Sequence, residues 1–326
     1  MRKLLAITLM GLVLVSCRKD EIDTIEGPEL NDIYGVFGVV TTFSASQANV
    51  DFAASQSVYF SCEVSKISNW KLSIVGQTSG AVKIYEGTGK IIDVSTATWR
   101  GETTNFPIFQ AEMCNVMLTF DGENDTLNTT VTVDAPKVNQ GFVLADFETG
   151  WVGGWSSFIQ SGGMMDFNIK TNSVAPQGGS YYNMQGEVNW DWLVGLVNFN
   201  AAAYASVTLP LSDNEDALYF NALIYGEPGY PNSRVLFQFD EDEDENGTFT
   251  GATEDQFGIE ILIDWEGWQL VSVKYGDLIG NGLGGGIHNP NKINAVNMLH
   301  LADPSSGLAK SKLDYIIFTE NAPVSL

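Results

Sequence analysis

Two kinds of hydrophobic patterning divide the chain. From Leu4 to Val15 apolar residues run on, broken only by Thr8 and Gly11, behind the basic start Met1-Arg2-Lys3. After Cys17, apolar stripes at helical spacing are hard to find. Short runs rich in Val, Ile, Thr, Phe and Tyr take their place, bounded by Gly, Asn, Asp and Ser clusters. Alternation at period two sends one set of side chains inward and the other outward, so the pattern predicts an all-β protein. "SVYFSCEVS", "NWKLSIV", "AEMCNVMLTF" and "LNTTVTVDAP" read as strands of one unit, with Gly76, Gly80, Gly87 and Gly89 at its turns. "RVLFQF", "DQFGIEILI", "DWEGWQLVSVKYGDL" and "KSKLDYIIFTE" read as strands of another. The seam falls at Asp134-Ala135-Pro136-Lys137, because proline cannot continue a central strand. The expected organisation is a leader over 1–17, a flexible linker over 18–32, one β-sandwich over 33–136 and a second over 141–320.

The leading apolar run is too short to span a bilayer and has the length of a signal-peptide core. It ends in Leu14-Val15-Ser16-Cys17, which resembles the lipobox of bacterial lipoproteins. That resemblance implies cleavage before Cys17 and acylation of its thiol with palmitate-like chains. Each buried methylene contributes about 0.8 kcal/mol and two chains anchor stably, so the outer membrane is an expected partner through the lipid. Lys19-Asp20-Glu21 resembles the export signal that sends some lipoproteins to the outer face of that membrane. Glu21-Ile22-Asp23-Thr24-Ile25-Glu26 also resembles the acidic strand of jelly-roll glycoside hydrolases. A retaining mechanism needs carboxylates fixed about 5–5.5 Å apart, and a segment hanging from an acyl anchor has no neighbouring strand to fix them. The tether is the better reading.

Charge then narrows the partners. With 40 acidic against 16 basic residues, the chain is poorly suited to nucleic acid, which demands positive charge near phosphate. There are two histidines, His288 and His300, and no Cys/His metal cluster, nucleophile elbow or phosphate-cradling loop. The glycine-rich "GNGLGGGIHNP" reads as a flexible loop. An enzyme is therefore not expected, although a hidden pair of facing carboxylates is the route by which a hydrolase would arise.

Cys62, Trp70 and Cys114 follow one another across strand-like runs. Their order resembles the inter-sheet disulfide and packing tryptophan of immunoglobulin-type sandwiches, and the unit as a whole resembles bacterial Ig-like or PKD-like modules. The resemblance implies a Cys62–Cys114 disulfide in an exported protein. Two separate buried thiols is the alternative reading. Glu112 stands where the family's corner tyrosine would be.

In the second unit, "LADFETGWVGGW", "PQGGSYYNMQG", "DWEGWQLVSVKYGDL" and "KSKLDYIIFTE" resemble, in order, the segments of galactose-binding-like carbohydrate-binding jelly rolls. Such jelly rolls carry a structural calcium between first and last strands. By position, Glu148 and Asp314 match the carboxylate ligands, with carbonyls near Gly178 and Ser180 completing an oxygen shell. A second, weaker candidate is "DEDEDENG", where Asp242, Asp244 and Asn246 precede Gly247 as in an EF-hand loop. The twelfth position is Thr253 and Glu254 is one further, so a solvated acidic hairpin competes with an ion site. Sugar recognition takes an aromatic plate with polar partners. Trp190, Asp191 and Trp192 form one candidate cluster, and Tyr225, Tyr230 and Arg234 another, with Tyr181 and Tyr182 completing a cleft. Trp190 and Trp192 alternate around Asp191, so the pair faces either ligand or core. Trp268, Trp99 and Phe106 are expected in the core, with one of Trp151 and Trp155 packing across the sandwich end.

The whole resembles the surface glycan-binding lipoproteins of starch-utilisation-type uptake systems. That implies a non-catalytic protein holding polysaccharide or oligosaccharide near a glycan transporter or a surface glycosidase. An adhesin or assembly component that binds protein is the rival, and a glycoside hydrolase the third reading.

Overall fold

The computed structural model describes residues 35–282, 284–302 and 307–325. Cys17, the leader and the linker over 18–32 lie outside the described residues. Those described form β-strands and three short 3-10 turns, with no α-helix among them.

The first unit comprises β1 (Val39–Ala45), β2 (Asn49–Asp51), β3 (Val58–Gly76), β4 (Val82–Ile92), β5 (Thr98–Trp99), β6 (Met113–Phe120) and β7 (Thr126–Ala135). Its sheet runs β1-β3-β6-β7-β2, with β4 and β5 also on β3. The 19-residue β3 organises it. Even-numbered positions from Val58 to Val64 and from Ser68 to Gly76 point inward, so one strand lines the core along its whole length. Between Glu63 and Ser68 it carries residues without counterparts on β4, whose Ile91 and Gly89 are the flanking partners. Such a bulge bends the strand. The first half pairs with β1 and the second with β6. Trp99 is fully buried, with Phe52 and Phe109 each at 4.7 Å, edge to face.

Two expectations change here. Cys62 and Cys114 are both buried and free. Cys114 lies opposite Gly76 at the end of β3, whereas Cys62 sits near the strand's start and donates to the Thr41 carbonyl. A disulfide needs Cα atoms within about 7 Å, and this register keeps the two apart. Reducing agent is therefore expected to leave the thermal midpoint unchanged, whereas removing a real cross-link costs about 2–5 kcal/mol. Midpoints measured with and without dithiothreitol check this. Gly87 and Gly89 lie within β4, not at turns. At Gly87 a Cβ would stand 2.4 Å from the Trp70 indole, so glycine makes room for the ring. Glu112, in place of a corner tyrosine, accepts from the backbone of Thr78, Ser79 and Gln110. Its carboxylate thereby holds the β3–β4 turn.

The second unit adds β8 (Phe142–Ala145), β9 (Ser156–Ile159), β10 (Gly163–Thr171), β11 (Ser180–Glu187), β12 (Leu193–Asn200), β13 (Leu218–Gly226), β14 (Ser233–Glu241), β15 (Gln256–Ile263), β16 (Gly267–Lys274), β17 (Ile279–Gly280), β18 (Ile293–Ala302) and β19 (Leu308–Glu320). They form two six-stranded sheets. Sheet I runs β10-β11-β19-β13-β16 with β8 on β19, and sheet II runs β17-β15-β14-β18-β12-β9. The chain crosses repeatedly from one sheet to the other, giving a jelly-roll sandwich. One apolar core fills the space between, including Phe147, Phe199, Phe220, Phe237, Phe239 and Phe318.

The two units touch. Ile108 N donates to the Pro176 carbonyl at 2.8 Å, and Gln110 Nε2 to the Gly178 carbonyl at 2.6 Å. Phe106 packs against Leu223, Tyr315, Ile317 and Val324 on the outer face of sheet I. That face is therefore partly covered by the first unit, while no such cover lies over sheet II among the described residues.

Candidate functional site

Period-two alternation sorts sheet II into two faces. Val235, Phe237 and Phe239 of β14, and Val296 and Met298 of β18, enter the core. Their neighbours in sequence point the other way. Reading across paired strands, this outer face carries a row Phe158–Leu196–Leu299–Leu236–Glu260. Beside it runs Ser156–Asn198–Asn297–Gln238–Gly258. The first row is largely apolar and the second polar.

The polar row is tied together laterally. Asn198 Nδ2 donates to Asn297 Oδ1 at 2.7 Å, and Asn297 Nδ2 to Asp240 Oδ2 at 2.7 Å. Gln256 Nε2 donates to Asp240 Oδ1 at 2.6 Å, and Gln238 Nε2 to Gln256 Oε1 at 3.2 Å. Burial pushes the Asp240 carboxyl above its usual range, while the Gln256 and Asn297 amides act to hold it down. A groove of about 240 Å³ opens at the β15 side, lined by Leu236, Gln238, Gln256, Gly258, Glu260 and Ile279. At Gly258 a Cβ would lie 2.9 Å from the Phe237 carbonyl, so glycine keeps the backbone of β14 and β15 close there. Arg234 Nη1 meets Glu260 Oε1 at 2.6 Å on the same face.

Trp190 and Trp192 stand at one end of this sheet, in the loop entering β12. The Trp192 carbonyl accepts from Ala302 N at the end of β18. Both indoles face solvent, 64% and 49% exposed, rather than the core. Asp191 does different work: Oδ1 accepts from Trp192 N at 2.7 Å and Oδ2 from Gln160 Nε2 at 3.1 Å, bracing the loop against the chain after β9.

The second expected cluster is divided by the fold. Arg234 belongs to sheet II, but Tyr225 and Tyr230 lie with the lysines of sheet I. Lys312 Nζ sits 3.9 Å from the Tyr225 ring centroid and Lys310 Nζ 4.2 Å from that of Tyr230. Tyr181 and Tyr182 are buried; Tyr182 belongs to the core and lines a separate cavity of about 360 Å³ with Trp151, Ile159 and Phe167, away from Tyr225 and Tyr230. Trp155 is the tryptophan that packs across the sandwich end, against Phe147 and Phe199, while Trp151 stays 42% exposed. Trp268 is not in the main core. It lies on the outside of sheet I beside Tyr225 and donates to the Val174 carbonyl.

The carboxylates expected at calcium are brought near each other. Asp314, on β19, is fully buried, and its Oδ2 has no hydrogen-bond partner. Burial, then the charges of Glu148 and Asp146, push its carboxyl well above the usual range. Glu148 Oε1 accepts from Gly179 N at 2.9 Å and Ser180 N at 2.7 Å. Gly178 sits at φ +58°, where a Cβ would fall 2.4 Å from the Glu148 carboxyl. Its carbonyl accepts from Gln110, so the first unit reaches this seam. A buried carboxylate facing like charge suits a hard cation with oxygen ligands.

The acidic loop is exposed from Glu243 to Thr248, but its two ends are not solvated. Asp242 is fully buried and Glu254 nearly so, and with Asp244 they bring carboxylate oxygens within 4.8 Å of one another. Gly247 N donates to Asp242 Oδ2 at 2.7 Å, and Asn246 N to Asp244 Oδ1 at 3.1 Å. Asn246 Oδ1 accepts from Thr248 N at 2.9 Å. Glu254, one place beyond the EF-hand position, brings the third carboxylate to this group.

No family model matches the chain, and no curated protein matches it either. Solved structures similar to it include a family 11 carbohydrate-binding module from Clostridium thermocellum in complex with a β-1,3-1,4-mixed-linked tetrasaccharide, at 15% identity, TM-score 0.36, covering 58% of this chain and 100% of that one. Another is a xylan-binding domain from Paenibacillus barcinonensis, at 13% identity, TM-score 0.33, covering 57% and 99%. A third is SGBP-B from a complex xyloglucan utilization locus in Bacteroides uniformis, at 11% identity, TM-score 0.33, covering 87% and 73%. The sandwich architecture is read from the strand pairing above and rests on none of these likenesses.

Proposed function

We propose that the chain is a non-catalytic, surface-anchored lipoprotein that binds polysaccharide on the outer face of sheet II. One observation carries this: a laterally hydrogen-bonded row of amides around Asp240, running beside an apolar row, on the uncovered face of the sandwich. Sugar hydroxyls pair with the amides and carboxylates, and sugar C–H faces rest on Leu196, Phe158 and the indoles at the sheet's end. The amides are oriented by one another before ligand arrives, which lowers the entropy lost on binding. The lipobox resemblance at Cys17 supports anchoring at the outer membrane. An Ig-like or PKD-like role for the first unit is that of a spacer, and Glu148 and Asp314 hold a structural calcium at the seam it contacts. Within the second unit the calcium would tie the first strands to the last.

Affinity electrophoresis against a polysaccharide panel tests the reading, with reducing-sugar release assayed in parallel. Gln238→Ala is expected to weaken retention about fivefold to tenfold, the worth of one to two hydrogen bonds, with the fold intact. Trp192→Ala is expected to weaken it as well. Full retention in Gln238→Ala would move the site off this face. No retention of any polysaccharide by the wild type would retire the reading, and sugar release would replace it with a hydrolase.

A further inference from the structure

The acidic loop carries more carboxylates than the Asp242, Asp244 and Glu254 group uses. Glu241 and Asp242 are successive residues where β14 ends, and extended backbone sends successive side chains to opposite sides. Asp255 likewise follows Glu254 on the returning chain, and Glu241 N donates to its carbonyl at 3.0 Å. The result is a second triad: Glu241, Glu243 and Asp255 bring carboxylate oxygens within 4.8 Å of one another on the other side of the loop.

An independent feature points to a ligand there. Glu241 is fully buried. Its Oε1 accepts from Tyr275 Oη at 2.7 Å and from Asn289 N at 2.7 Å, yet its Oε2 has no partner. A buried, ionised carboxylate oxygen left unpaired beside two further carboxylates is costly unless a cation or a proton neutralises it, and the three carboxylates together offer a cation an oxygen-lined place. Lys292 does not serve, since its ion pair is with Glu245. Asp255 is held in place by Gly285 N at 3.0 Å and Gly286 N at 2.9 Å. The glycine-rich run therefore positions a ligand carboxylate, which gives it a use that its composition did not suggest.

We propose that Glu241, Glu243 and Asp255 form a calcium site, back to back with the Asp242, Asp244 and Glu254 group across the same loop. Hard oxygen donors of uneven burial suit calcium, which tolerates irregular shells, better than magnesium, which demands near-ideal octahedra. Its ligands Glu241 and Asp255 adjoin Asp240 and Gln256 of the polar row, and the test therefore reads metal directly and uses no sugar.

Full-length protein is stripped with chelator, dialysed against Ca²⁺ alone, and assayed for bound metal. Glu243 is exposed, so Glu243→Gln is expected to fold as the wild type does. It should bind about one Ca²⁺ fewer per chain, or hold it at least about tenfold more weakly, because a charged ligand is lost. Asp242→Asn should lose a different ion, so the double variant loses more than either single one. Glu241→Gln keeps the side chain's shape. Without calcium it should melt above the wild type, and with calcium its rise in Tm should be smaller. A purely structural Glu241 would leave the calcium-induced rise equal in both. Wild-type stoichiometry and affinity in Glu243→Gln would overturn the proposal.

Discussion

Phe220→Ala is expected to destabilise the second unit by about 3–5 kcal/mol, the range for deleting a fully buried phenylalanine. Phe220 is fully buried on β13, with its ring 4.7 Å from Phe237, 4.9 Å from Phe239 and 5.4 Å from Phe318. Phe237 and Phe239 come from sheet II, while Phe220 and Phe318 come from sheet I. The ring is thus a joint between the layers, and truncation leaves a cavity that rigid sheets on both sides close poorly. Urea denaturation followed by tryptophan fluorescence measures the loss. Phe158→Ala is the control: 50% exposed on the candidate face, it should cost well under about 1 kcal/mol. Its effect should appear in polysaccharide retention instead. A loss below about 1 kcal/mol in Phe220→Ala would mean that the two sheets are not held together by this core.

The second large effect is one of pH. His300 is fully buried on β18, with Nδ1 3.2 Å from Ser311 Oγ and its ring 5.9 Å from that of Phe167. Burial disfavours the imidazolium and lowers the pKa from 6.5 to about 4. Between these values the unfolded chain takes up a proton that the folded chain refuses. Stability therefore falls as pH drops through about 6.5, and this contribution levels off once the folded state also charges near pH 4. The loss across that window is about 3 kcal/mol, at 1.36 kcal/mol per unit. Carboxylates act in both directions: Asp240 and Asp314, raised by burial, gain stabilisation as pH falls. Glu112 and Glu102, whose pKa values are lowered in the fold, lose stabilisation as pH falls through the carboxylate range. The difference between wild type and His300→Gln isolates the histidine. That difference, from urea curves at pH 7 and pH 4.5, should favour the variant at the lower pH. A difference that does not change with pH would show that His300 takes up its proton in the folded state.

Legibility in the sequence was uneven, and particular residues show why. The alternation of Val58, Phe60, Cys62 and Val64 is a local property of extended backbone, so it reads directly as strand. The D-x-D-x-N-G motif reads as a turn that gathers oxygens for the same reason. Whether Asp242 and Glu241 are buried depends on what covers them. For Glu241 that is Tyr275 and Asn289, distant in the chain. The amide row was missed because Asn198, Gln238 and Asn297 look like ordinary outward residues one strand at a time. A mixture of Leu with Asn, Gln and Asp at outward positions of β12, β14 and β18 was the available signal. The Cys–Trp–Cys order misled because spacing along a chain does not state register, and Gly76, not Cys62, lies across from Cys114.

What this sequence determined alone was the class of its structure: strands from period-two alternation, a break at Pro136, two carboxylate-rich places where cations are plausible, and a charge that turns nucleic acid away. These are set by backbone sterics and by charge, which act between neighbours. What only the tertiary structure decided was adjacency: Tyr225 parted from Arg234, Trp190 and Trp192 set at the end of sheet II, and the acidic run sorted into two triads. Lateral register and burial arise from packing between segments far apart in the chain, and no local pattern carries that information.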